Sequence, residues 1–130
     1  MREEIRNTWI QAQEDFKTAQ VLLETGRFYA SVFFSQQAAE KALKALWMEA
    51  RREMPRTHNL VALARALNAP ESVLEAAREL TPDYVITRYA NAAHGVPAEM
   101  YSQQSAQAHL DYAAEVLEWT RKQWPESSVS

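Results

Sequence analysis

The sequence predicts an all-α protein, an up-and-down bundle of four to five helices, three of them long and one or two short. Three observations carry that prediction. Apolar residues recur at spacings of three and four over long stretches, which places them along one face of a helix. Only 2 Gly and 5 Pro interrupt 130 residues, too few for a chain built on tight turns. No alternation of apolar and polar residues, the mark of a half-buried strand, competes anywhere.

The first helix is expected from about Glu3 to Thr25. Ile5, Trp9, Ala12, Phe16, Ala19 and Leu23 step along one stripe, Glu3 and Glu4 suit the positive end of the helix dipole, and Gly26 suits the C′ position. The second helix is expected from Phe28 to about Glu53, where Pro55 blocks it. Val32, Ala39, Leu43, Leu46 and Ala50 form its apolar stripe, widened by Phe33 and Trp47. Phe34, Gln37, Lys41, Lys44, Met48 and Arg51 keep the same spacing, two residues out of phase. That offset is a rotation of about 200°, so this second stripe faces away from the first. It would leave two lysines, bracketed by a Phe and a Met, on the side opposite the first helix.

Beyond the loop MPRTH, a short helix fits roughly Asn59 to Leu67, with Leu60, Leu63, Ala64 and Leu67 inward. Another fits Pro70 to Leu80, because proline is tolerated at a helix start. Thr81-Pro82-Asp83 reads as a cap and N1 proline opening a short turn or helix through Tyr89. The stretch from Tyr89 to Pro97 contains Gly95 and Pro97 and is expected to be irregular. A final long helix is expected from about Ala98 to Lys122. It carries one stripe at Ala106, Leu110, Ala113 and Leu117, and a neighbouring one at His109, Tyr112, Val116 and Trp119. An apolar surface that wide suggests burial on two sides, one of them against a partner subunit. The organisation expected is a single domain over 1–124 with a frayed tail, PESSVS, over 125–130.

Composition excludes several function classes. The chain has no Cys, so disulfides, thiolate zinc sites and a Cys nucleophile are out. Gly26 and Gly95 lie too far apart for a phosphate-binding glycine loop. His58, His94 and His109 lack the spacing of a metal motif, so no metal is expected, and no cofactor is expected either. With 14 basic and 17 acidic residues the net charge is −3, which draws no polyanion to the molecule as a whole. MREEIRNTW has no signal-peptide core and no segment approaches about 20 apolar residues. A cytoplasmic protein without a membrane span is therefore expected.

Two clusters remain for chemistry. Between Lys41 and His58 stand five Lys or Arg residues against Glu49 and Glu53, a locally basic stretch suited to a phosphate chain. From periodicity alone the simpler reading is a solvated face, with Glu40 and Glu49 supplying local pairs. The segment TRYANAAHG sets Arg88 and His94 apart by five residues. In a broken helix the two can converge, the Arg on phosphate charge and the His moving protons, as RNA cleavage requires. By spacing alone, an Arg that ties down a loop beside an exposed His explains the pair equally well.

Taken together, DFKTAQVLLETGRFYASVFFSQQAAEKALKALW at 15–47, PRTHNLVALARAL at 55–67 and DYVITRYANAAHG at 83–95 resemble a HEPN domain, a small helical family named for nucleotide binding. The resemblance spans nearly the whole chain. It implies a bundle of four or five helices that usually dimerises and is often encoded beside a minimal nucleotidyltransferase. The implied role is the toxin-like or substrate-binding and nucleotide-binding half of such a two-component or toxin–antitoxin system. Some members are metal-independent ribonucleases with an Arg-x(4–6)-His motif in a cleft between two subunits, a spacing that Arg88 and His94 match. Active members favour a polar residue directly after the Arg, where this chain has Tyr89. In some toxins a Tyr shortly after the His is adenylylated by the partner; here that position is Val96. The family's nucleotide-binding role points to Lys41, Lys44, His58 and Tyr89 as phosphate or nucleotide contacts, without any catalysis. A homodimer, a nucleotidyltransferase partner, and a nucleotide or RNA ligand are the associations so implied.

Overall fold

In the computed structural model, which describes residues 2–82, 87 and 95–124, α-helices follow one another with no strand among the described residues. They are α1 (Glu3–Glu24), α2 (Phe28–Arg51), α3 (Leu60–Ala66), α4 (Glu71–Leu80) and α5 (Gln103–Gln123), with a 3-10 turn at Pro97–Glu99 before the last.

Gly26 stops α1 in the expected way. At φ 81° it turns the chain so that its own N–H reaches the Leu23 carbonyl and the Arg27 N–H reaches that of Leu22. These two bonds satisfy carbonyls that the helix end leaves open. α2 ends in a left-handed residue too, Arg52 at φ 60°. Asn59 caps α3 by accepting from the Val61 and Ala62 N–H groups. Ser102 and Ser105 form a reciprocal capping box at the start of α5.

α2 lies at the centre of the bundle and packs against α1, α5, α3 and the 3-10 turn. Half of its buried residues are small: Ser31, Ser35, Ala38, Ala39, Ala42 and Ala45. Short side chains let neighbouring helices approach on several sides, and Ser31 Oγ donates to the Ala19 carbonyl of α1 at 2.8 Å. Larger residues from the surrounding helices fill the core: Ile5 from α1, Leu60 and Leu63 from α3, Val73 and Leu80 from α4, and Val116 from α5 are all fully buried. Trp9 and Trp124 meet where α1 passes the end of α5, ring centres 6.0 Å apart.

The structure corrects several expectations. The second stripe of α2 does not face open solvent: Met48 is buried, Phe34, Gln37, Lys41 and Lys44 are half-buried, and only Arg51 is exposed. A helix surrounded by neighbours has no wholly polar side. Ala50, placed in the apolar stripe, is exposed, because the bundle no longer surrounds α2 in its last turn. α2 stops at Arg51 rather than Glu53. α5 begins at Gln103 instead of Ala98, since Ser102 supplies the cap and Pro97–Glu99 forms its own turn. Thr81 closes α4 as its C-cap. The turn or helix expected from Asp83 to Tyr89, and the tail over 125–130, lie outside the described residues.

Candidate functional site

Ionisable side chains gather where α2 faces α1 and the segment before α3. Their organising residue is Glu40, buried at 6 % exposure in the middle of α2. Its Oε1 accepts from Gln36 Nε2 at 2.7 Å, one turn earlier. Its Oε2 accepts from Lys44 Nζ at 2.8 Å, one turn later, and meets His58 Nδ1 at 2.8 Å. Gln37 Nε2 in turn donates to Gln36 Oε1 at 2.8 Å. Residues 36, 40 and 44 line one face because four residues nearly complete a helical turn. His58 arrives from the loop held by the buried Pro55 and the Asn59 cap.

Burial works against the Glu40 charge, but the hydrogen bonds from Lys44, His58 and Gln36 and the lysine's charge outweigh it and hold the carboxyl below its ordinary value. An ionised carboxylate only accepts. The His58 Nδ1 facing it therefore carries the proton, and His58 is held by its Nδ1–H edge on a buried anion. The His58 side chain remains 48 % exposed.

A second carboxylate answers the other lysine. Asp15 on α1, 3 % exposed, pairs with Lys41 Nζ across the α1–α2 seam. Its other oxygen accepts from Gln11 Nε2 at 2.9 Å. Lys41 and Lys44 thus each hold a buried or nearly buried carboxylate, and the two pairs sit side by side on α2. A phosphate brought to either lysine has to displace Asp15 or Glu40, or share the cation with it. The arrangement ties the helices together and fixes the pose of His58. Surface cavities of about 450 and 370 Å³ open at the starts of α5 and α1, lined by Ser102, Gln103, Gln104 and Gln107 and by Arg2, Glu3, Glu4 and Asn7, not by these cations.

The fold therefore brings Lys44 and His58 together through Glu40 and places Lys41 one residue away on α2, with Asp15 as its partner. Arg88, Tyr89 and His94 lie outside the described residues. No group of three or more His, Asp or Glu is gathered to hold a metal among the described residues, and no helix there is long and apolar enough to cross a membrane. Sequence reading missed Asp15 and undervalued Glu40. A signal was present for both. Asp15 sits three residues after Ala12 and four before Ala19, inside the apolar stripe of α1, and Glu40 stands among Ala38, Ala39 and Ala42. A carboxylate in register with core residues requires a buried partner.

Comparison with known proteins agrees with this architecture. The profile of the HEPN domain matches residues 5–123. A crystal structure from Thermus thermophilus superposes with a TM-score of 0.86 at 32 % identity, covering 95 % of this chain and 100 % of that one. An archaeal HEPN homologue superposes at 0.79 with 28 % identity, over 95 % of this chain and 98 % of its own. An HEPN domain protein from Thermotoga maritima superposes at 0.70 with 25 % identity, over 89 % and 95 %. No curated protein matches the sequence.

Proposed function

The chain belongs to the HEPN domain family, and we propose that it acts as the helical half of a two-component system, self-associating and binding a minimal nucleotidyltransferase. The observation that carries this reading is an uncovered apolar surface next to the segment bearing the family's motif. Val96 and Met100, immediately after the 83–94 stretch, are 54 % and 50 % exposed. Beside them, Phe28, Tyr29 and Ala98 line a cleft of about 160 Å³ with Gly26 and Arg27. Half-exposed large apolar residues around one concavity favour a protein partner. The test is co-expression with the product of the neighbouring reading frame, tagging only one of the two. A nucleotidyltransferase that co-elutes with this chain through size exclusion supports the reading. A neighbour of another class, or two proteins that elute apart, overturns it.

A second reading, ribonuclease activity, is favoured by the spacing of Arg88 and His94. In it His94 moves the proton of an RNA 2′-hydroxyl and Arg88 holds phosphate charge, with no metal. Cleavage that persists in EDTA and disappears in His94→Ala supports it. RNA left intact by the wild-type dimer rules it out. A nucleotide-binding role through Lys41, Lys44, His58 and Tyr89 has to overcome the carboxylates already on both lysines. Stabilisation by millimolar ATP that Lys44→Met removes is its signature.

A further inference from the structure

The basic stretch after Lys44 is not absorbed by the polar network. Its arginines are brought to one end of the bundle by the packing of α3 on α2. Arg51 Nη2 donates to the Ala66 carbonyl at 3.1 Å, so the last turn of α3, with Arg65, lies against the end of α2, with Arg51 and the C-cap Arg52. Arg56 stands midway along the loop that returns from Arg52 to His58. Because His58 is bonded to Glu40, eleven residues before Arg51, the loop retraces about 16 Å along α2. The cations are thus spread along a strip and not gathered at a point.

The members of this strip differ in what they already do. Arg51 satisfies the carbonyl end of α3 and lies over the Trp47 ring at 4.2 Å. Arg52, Arg56 and Arg65 are exposed and make no ion pair among the described residues. Glu49 and Glu53 are the acids within the stretch, two against four guanidinium groups. Met54, 62 % exposed, stands between Arg52 and Arg56. Guanidinium forks suit phosphate oxygens, and an exposed apolar side chain between them suits the face of an unpaired base.

We infer that Arg52, Arg56 and Arg65, with Met54 between the first two, form a strip that binds the phosphate backbone of single-stranded nucleic acid through residues other than Arg88 and His94. The net charge of −3 draws no polyanion to the molecule as a whole, so such binding is local. Binding is weak, independent of sequence and strongly salt-dependent, because phosphate contacts release counterions.

The test is fluorescence anisotropy of the full chain with a labelled 2′-O-methyl oligonucleotide of about 15 nucleotides, within the range of single-strand site sizes. That probe lacks the hydroxyl used in cleavage, so its binding is read independently of any ribonuclease activity. Arg52→Gln, Arg56→Gln and Arg65→Gln combined are expected to weaken binding at low salt at least about tenfold. They are also expected to flatten the slope of log K against log salt by about two to three. Glu53→Gln is expected to tighten it, which a purely structural role for the arginines does not produce. Arg2→Gln at the N-cap of α1 with Lys17→Gln on that helix is the control. An unchanged melting temperature in the triple variant separates lost contacts from lost folding. No saturable binding by wild type at about 50 mM salt, or equal binding by wild type and the triple variant, overturns the inference.

Discussion

Glu40 shows how one buried charge organises its surroundings. It accepts from Gln36, Lys44 and His58, and its removal leaves a lysine of 16 % side-chain exposure facing a neutral group. Glu40→Gln keeps the volume but loses the charge and places amide donors against a lysine or an imidazole. It is expected to cost about 2 kcal/mol in urea unfolding. The pH dependence follows from the direction of the shift. Because the folded carboxyl titrates below its ordinary value of 4.5, its contribution is present above that value and is lost as pH falls through the lower, folded one. Wild-type stability is therefore expected to fall on the acid side more steeply than that of Glu40→Gln. Parallel acid limbs for the two proteins, or a variant as stable as wild type at pH 7, contradict this account. Asp15→Asn is expected to be milder, since the Lys41 side chain is 32 % exposed and water can replace its partner.

At the scale of elements, helix ends carry most of what was legible locally. Gly26 at φ 81° faces open space where a Cβ would stand, with nothing within 4 Å. Gly26→Ala therefore meets only the backbone cost of the left-handed region, about 1 kcal/mol. Ser102→Ala removes one side of the capping box of α5 and is expected to cost about 1 kcal/mol. Hydrogen exchange in Gln103–Ala106 should rise while α2 stays protected. Equal protection of those amides in both proteins counts against the cap. The start of α5 was misplaced for a physical reason. Ala98, Glu99 and Met100 all tolerate helix, so propensity runs through them, whereas the Ser102–Ser105 pair decides where the regular bonding begins. Gly26 needed no such arbitration, because its freedom at positive φ coincides with the end of the apolar stripe.

At the scale of the whole molecule, the uncovered apolar surface at Val96 and Met100 bears on assembly. If a second copy covers it, Val96→Asp with Met100→Asp is expected to turn a dimer into a monomer in sedimentation velocity at micromolar concentration. The melt of the separated subunit should remain cooperative. A wild-type monomer, or a double variant that remains dimeric, removes this surface from the interface. The same variant is expected to weaken capture of a nucleotidyltransferase if that partner shares the surface. The arginine strip lies on α2, α3 and the loop between them, so these substitutions leave it intact and the two surfaces can be tested independently.

What the sequence determined by itself was local: the helical class, the stripes of α1 and α5, the stop at Gly26, and the exclusion of thiol chemistry and glycine-loop sites. Periodicity and capping act within a few residues, and composition requires no folding at all. The sequence also placed Lys41 and Lys44 one turn apart and marked the basic run behind them. Only the tertiary structure decided what those charges do. Asp15 and Lys41 are 26 residues apart, and Glu40 and His58 are 18 apart, so neither pairing follows from any helical period. Each depends on where α1 and the loop before α3 cross α2. That crossing is possible because α2 is lined with Ser and Ala, whose small side chains let its neighbours close around it and convert an apparently solvated lysine face into two ion pairs within the bundle.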